Sequence, residues 1–169
     1  MIFIALGANL NHPLYGDPLN TLRAAIEEIE QSGLEVVAKS SWYKTAPVPI
    51  SDQPWFVNAV IQVRTALPAK ELLALLHTIE RKFGRVREIQ WEARVLDLDL
   101  LAYGDSVTQN QDQQLGKVIP HPRMHERRFV MAPLSEISPD WLHPVIGKTA
   151  KQICDGLPCD SEVKILKQG

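Results

Sequence analysis

The segment that most restricts the fold runs Arg94-Val95-Leu96-Asp97-Leu98-Asp99-Leu100-Leu101-Ala102-Tyr103. Successive side chains of a strand point to opposite faces, so Leu96, Leu98, Leu100 and Ala102 share one face, and Val95, Asp97, Asp99, Leu101 and Tyr103 the other. The first face is dry and requires a sheet packed on a core. On the second, two adjacent carboxylates repel each other and cost stability unless a cation lies between them, and a divalent metal serves best. With Cα atoms on the order of 7 Å apart, Asp97 and Asp99 can converge on one Mg²⁺ or flank two ions about 3.5–4 Å apart. Taken alone, an Asp-x-Asp is more often a solvated strand face.

The surrounding charge favours the metal. Seven of the nine arginines, Arg81, Arg85, Arg87, Arg94, Arg123, Arg127 and Arg128, lie between residues 81 and 128 of a chain whose formal net charge is only -2. So local a concentration in a near-neutral protein suits a specific anion rather than a nucleic-acid surface. Arginine with paired aspartates points to phosphate with Mg²⁺.

The rest of the pattern supplies the scaffold. Residues 1–6 read as a buried strand. Asp17-Pro18 caps a helix whose stripe is Leu22, Ala25, Ile26 and Ile29, ending at Ser32-Gly33. A β-leaning run, 34–43, ends at Pro47 and Pro49. Residues 55–65 alternate cleanly, with Val57, Ala59, Ile61 and Val63 opposite Phe56, Asn58, Val60, Gln62 and Arg64. Residues 69–83 form a helix on Leu72, Leu76, Ile79 and Phe83, stopped by Gly84. The expectation is an α+β fold: a ferredoxin-like β-α-β-β-α-β core with an antiparallel sheet. Both helices would lie on one face and the site on the other, where Phe56 and Asn58 would join Asp97 and Asp99. A Gln-rich stretch, a short helix over 129–137 and a C-terminal extension follow.

At 169 residues, 45% hydrophobic and 22% charged, the chain matches one ordinary domain spanning 1–169. No apolar run is long enough to cross a bilayer, and the start lacks the pattern of a secretory signal, so a cytoplasmic protein is expected. Cys154 and Cys159 lack the companions of a zinc site and read as reduced thiols.

Five blocks in order resemble the 6-hydroxymethyl-7,8-dihydropterin pyrophosphokinase family. They are Ala5-Leu6-Gly7-Ala8-Asn9-Leu10, Ser41 to Pro47, Gln53 to Val60, Arg94 to Leu101, and Pro120-His121-Pro122 through Arg127-Arg128-Phe129-Val130. The resemblance implies a monomeric enzyme that moves diphosphate from ATP to a pterin alcohol, releasing AMP, in folate biosynthesis. By the same resemblance Asp97 and Asp99 bind two Mg²⁺ ions, and Arg85, Arg87 and Arg94 clamp the triphosphate. Trp91, His121 and Arg127 join them at the nucleotide. Glu80 either approaches ATP or is a helix-surface acid near Arg81 and Lys82. Phe56 and Phe129 are the aromatic walls of the pterin site, although Phe129 could be core. Asn58 reads the pterin edge, completed by Thr45, Pro47 and Val48; an amide that donates and accepts suits an aminopyrimidinone.

The chain departs from the family at Glu92-Ala93, where Gly-Pro is common, and at His77 and Ala8, which stand where relatives carry glutamine and serine. Closure of residues 84–94 over both ligands is expected to exclude water. Two alternatives remain: a two-metal nucleotidyl-transfer enzyme on the same topology, which would release pyrophosphate, and a non-enzymatic ligand-binding module. Neither accounts for Phe56, Asn58 and Phe129 together with the acids.

Overall fold

In the computed structural model, which describes residues 1–46, 54–84, 95–108, 118–158 and 163–166, the N-terminal apolar run is the central strand β1 (Ile2–Ala8). It pairs antiparallel with β4 (Phe56–Arg64) on one side and β5 (Asp97–Tyr103) on the other. Beyond β4 lie β2 (Glu35–Lys39) and β3 (Tyr43–Thr45), and β6 (Val163–Ile165) pairs with β3. The order is β5-β1-β4-β3-β6, with β2 also on β4.

One face carries α1 (Pro18–Gln31) and α2 (Ala69–Lys82). Asp17 caps α1 by accepting the Asn20 N–H at 2.9 Å, and Pro18 at the first turn loses no helical bond. The expected stripes, Leu22, Ala25, Ile26 and Ile29 with Leu72, Leu76 and Ile79, are buried against Ile4, Leu6, Ile61, Val63 and Leu98. Each of the larger side chains contributes about 1.5–3 kcal/mol by leaving water.

Three features differ from the sequence-based expectation. First, the run 34–43 is not one strand. Ser40 Oγ accepts the Val60 N–H at 3.0 Å and donates to the Ser41 carbonyl at 2.8 Å, which lifts the chain out of the ladder before Tyr43 rejoins β4. Second, the opposite face is not left open by the helices. There α3 (Arg128–Ile137) and α4 (Ala150–Asp155) cover Phe3, Val60, Leu101 and Ala102 with Met131, Leu134 and Ile153. Apolar side chains on that face need a lid, so only the remaining part of it can hold a site.

Third, β5 does not alternate to its end. Phe3 pairs with Ala102 but Ile4 with Leu100, leaving Leu101 as the extra residue of a bulge. Ala102 therefore joins Leu101 in the second core, and Tyr103 packs on the first.

Candidate active site

The end of that second face that α3 and α4 leave is defined by one rung of the sheet. Asp97 lies opposite Gly7, Gly7 opposite Asn58, and Asn58 opposite Tyr43. With strands about 4.8 Å apart, the Asp97 and Asn58 backbones are about 10 Å from each other. Between them is a residue with no side chain. Asp99 is two residues along β5, and Thr45 pairs with Phe56. Strand alternation puts Asp97, Asp99, Phe56 and Asn58 on this face, as the sequence predicts, and adds Thr45 beside them.

Asn58 is held on three sides. Its Nδ2 donates to Thr45 Oγ1, and both residues are buried. A Cβ at Gly7 would lie 2.7 Å from Asn58 Oδ1, so the amide rests over the bare backbone of β1. On its other side is Tyr43, buried, whose hydroxyl donates to Glu136 Oε1 at 2.6 Å. Burial, then this bond to a carboxylate, pushes the Tyr43 hydroxyl well above the usual phenolic range. Glu136 Oε2 also accepts the Ser41 N–H at 2.8 Å and the Ser41 hydroxyl at 2.9 Å.

Asp97 and Asp99 are half-buried, whereas the Leu98 between them is fully buried. Because β5 is an edge strand, the Leu98 N–H needs a partner outside the sheet. Glu80 provides it: its Oε2 accepts that N–H at 3.0 Å, and the residue is only 1% exposed. The surface-acid alternative for Glu80 is thereby corrected. Its place at α2 position 80, one turn past Leu76, turns it inward with the apolar stripe.

The C-terminal segment brings cations to the same place. The carbonyl of Leu101 accepts the His121 N–H at 2.9 Å, tying residues 121–127 to β5. His121 Nδ1 accepts the Arg123 N–H at 3.2 Å, which fixes the ring in the turn. Burial lowers the pKa of Arg127, and neighbouring Arg123 lowers it further, while Asp99, Asp97 and Glu126 oppose the shift. The guanidinium is thus in the electrostatic field of both aspartates, and it stays charged at neutral pH. It also lies over the Phe129 ring, 5.6 Å from the centroid. Phe129, at the first turn of α3, is half-exposed and packs on the edge of the second core.

Arg85, Arg87, Trp91, Arg94, Pro47 and Val48 lie outside the described residues, as does Cys159. Gly7, Tyr43 and Glu136, which hold Asn58 or its neighbours in place, are not singled out from the sequence. The first strand is expected to end at residue 6, whereas β1 runs to Ala8 and puts Gly7 inside a strand, where a glycine marks close approach by another group. Tyr43 and Glu136 are 93 residues apart, and nothing local announces their contact. Asn9, immediately after β1, donates to the Pro54 carbonyl at 3.1 Å and anchors the chain leading into Phe56.

A family model for 7,8-dihydro-6-hydroxymethylpterin-pyrophosphokinase (HPPK) matches residues 3–139. The chain is 41% identical over 157 residues to a 2-amino-4-hydroxy-6-hydroxymethyldihydropteridine pyrophosphokinase of Synechocystis sp., covering 92% of this chain and 75% of that one. To the Haemophilus influenzae protein of the same name it is 43% identical over 157 residues, covering 90% and 92%. Its fold is similar to that in the crystal structure of Plasmodium falciparum HPPK-DHPS wild type, with a TM-score of 0.69 at 13% identity. That alignment covers 91% of this chain and 44% of the Plasmodium protein, so the chain spans less than half its length.

Proposed function

Because this chain belongs to the 7,8-dihydro-6-hydroxymethylpterin-pyrophosphokinase family, and is therefore an ATP-dependent pyrophosphokinase of folate biosynthesis, we propose that its reaction takes place over the Asp97–Gly7–Asn58 rung. The observation that carries this reading is the register itself, which sets two acids and a fixed amide on one sheet face with a gap between them. A fused two-ring heterocycle edge-bound at Asn58 can reach across Gly7 towards the aspartates. Asn58 and Thr45, with Pro47 and Val48, recognise the pterin edge. Phe56 and Phe129 stack on its faces.

The donor set fits Mg²⁺. Two hard carboxylates share one face, and among the described residues no group of three His, Cys, Asp or Glu converges on a metal site. Mg²⁺ commonly takes one or two carboxylates and completes its octahedron with phosphate oxygens and water. Asp97 and Asp99 would hold two such ions, whose chemistry is to neutralise the phosphate oxygens and so stabilise the charge of phosphoryl transfer.

The protein's part is placement. Arg127 and His121 meet the nucleotide beside β5, with Arg85, Arg87, Trp91 and Arg94 assigned to ATP by the same reading. Arg85 and Arg94 act directly on the reacting phosphates. Glu80 holds the Leu98 amide and so keeps Asp97 and Asp99 in register; any contact with ATP is additional. The pterin hydroxymethyl oxygen attacks the β-phosphorus in line, its proton passes to solvent, and AMP departs. No covalent enzyme intermediate is needed.

The scaffold under this site is taken as a ferredoxin-like core, supported by the order β5-β1-β4-β2. The enzyme is taken as a single-domain cytoplasmic monomer. The test is to supply Mg²⁺, ATP and 6-hydroxymethyl-7,8-dihydropterin to the protein and to its Asp97→Ala variant, and to identify the nucleotide product. AMP formed only with pterin, and lost in the variant, is expected. Pyrophosphate release would instead favour nucleotidyl transfer, and an Asp97→Ala variant with full activity would remove the acids from the mechanism.

A further inference from the structure

We propose that Glu136, which lies outside the substrate site, is the positioning residue that sets the pterin-reading edge by clamping the break between β2 and β3. This inference rests on the assignment of Asn58 to the pterin.

The break leaves the Ser41 N–H without a partner on β4. Glu136, near the C-terminal end of α3, accepts that N–H at 2.8 Å and the Ser41 hydroxyl at 2.9 Å through Oε2, and the Tyr43 hydroxyl at 2.6 Å through Oε1. One carboxylate thus takes three donors from a five-residue stretch that ends at Thr45. Hydrogen bonds to a charged acceptor are about twice as strong as neutral ones, and both oxygens are used, so the clamp is two-pronged and resists rotation. The consequence runs along the sheet. Tyr43 is cross-strand from Asn58, and Thr45, two residues on, accepts the Asn58 amide. With Gly7 on its far side, the amide has one orientation only while Tyr43 and Thr45 hold station. Helix α3 also carries Phe129 in its first turn, so the same carboxylate ties the strand that orients the edge reader to the helix bearing an aromatic wall.

Glu136 is exposed, so its replacement leaves the core intact. A glutamine offers one acceptor oxygen for three donors; an alanine offers none. With full-length protein, the Michaelis constants for pterin and for ATP are to be measured separately for Glu136→Gln, Glu136→Ala, Tyr43→Phe and the Tyr43→Phe/Glu136→Gln double variant, with melting temperature as the folding control. The expected result is a rise in the pterin constant of about tenfold for Glu136→Ala and a smaller rise for Glu136→Gln. The ATP constant should stay within about twofold, and the double variant should be less than additive. The Asn58 side-chain amide resonance in an ¹⁵N spectrum should shift in each variant without ligand, a change that lost stability alone would not cause. Equal changes in both constants, or an unchanged pterin constant and amide resonance, overturn the proposal. Asn58→Ala separates the two levels: if it leaves pterin binding intact, the site assignment fails; if it abolishes binding while Glu136→Ala is silent, only the clamp fails.

Discussion

Gly7→Ala tests the rung on which the functional reading stands, because it adds one methyl group at the centre of the site. The new Cβ would lie 2.7 Å from Asn58 Oδ1, whereas non-bonded heavy atoms settle at about 3.5 Å. The amide must therefore retreat by roughly 0.8 Å. It cannot do so freely, since its nitrogen is bonded to the buried hydroxyl of Thr45. Forcing an extra carbon into such a place costs about 1–3 kcal/mol. Replacing glycine by alanine also stiffens the unfolded chain and returns about 0.4–1 kcal/mol. The net loss is centred on about 1.3 kcal/mol, a fall in melting temperature of about 3–5 °C for a chain of this size.

The effect on function should be larger and confined to one ligand. Misaligning a buried polar reader leaves hydrogen bonds unmade and is worth about 1.5–3 kcal/mol, about ten- to a hundredfold in pterin affinity, with ATP affinity within about twofold. Calorimetric titration of each ligand, with thermal melts, measures both quantities. A double-mutant cycle sharpens the test: in an Asn58→Ala background the methyl group has no oxygen to strike, so Gly7→Ala should weaken pterin binding less than it does in the parent protein. A Gly7→Ala protein with unaltered pterin affinity, or the same loss in both backgrounds, would refute the reasoning.

Other outcomes follow from the same geometry. Asp99→Asn keeps the shape of the side chain and the packing of β5, so circular dichroism should be unchanged while turnover falls at least about a hundredfold and the Mg²⁺ concentration for half-activation rises. Phe129→Ala removes a stacking surface worth about 1–3 kcal/mol and should weaken pterin more than ATP; equal losses would make Phe129 a core residue. His143, 3% exposed, has Nδ1 accepting the Val145 and Ile146 N–H groups, and burial, then nearby His125, holds its pKa below the ordinary 6.5. The unfolded chain therefore takes the proton first, so this contribution to stability is complete above pH 6.5 and is lost as pH falls from there towards the depressed folded value. His143→Asn retains an acceptor for the two amides without titrating, and the fall in melting temperature between pH 7 and pH 5 should become shallower; an unchanged slope would exclude His143 as its source.

The parts of this protein that could be read from its sequence are those in which one residue's chemistry opposes its neighbours'. Asp97 and Asp99 stand out because they are acids in an apolar strand, and the helices stand out because Leu72, Leu76 and Ile79 repeat among polar residues. Where neighbours agree, the pattern carries no such signal. Leu100-Leu101-Ala102 is apolar throughout because α3 and α4 cover the face that the acids leave, so alternation cannot reveal which residue is the bulge. Ser40-Ser41 looks like the polar end of one strand, yet Ser40 replaces a ladder bond and Ser41 awaits a carboxylate 95 residues away. Glu80 lies between these cases: an acid on the Leu72–Leu76 side of a helix calls for a buried donor, but its identity, the amide between the two aspartates, appears only when β5 is laid against α2. The sequence thus announces the candidate ligand groups, while the groups that hold them in place emerge from chain crossings.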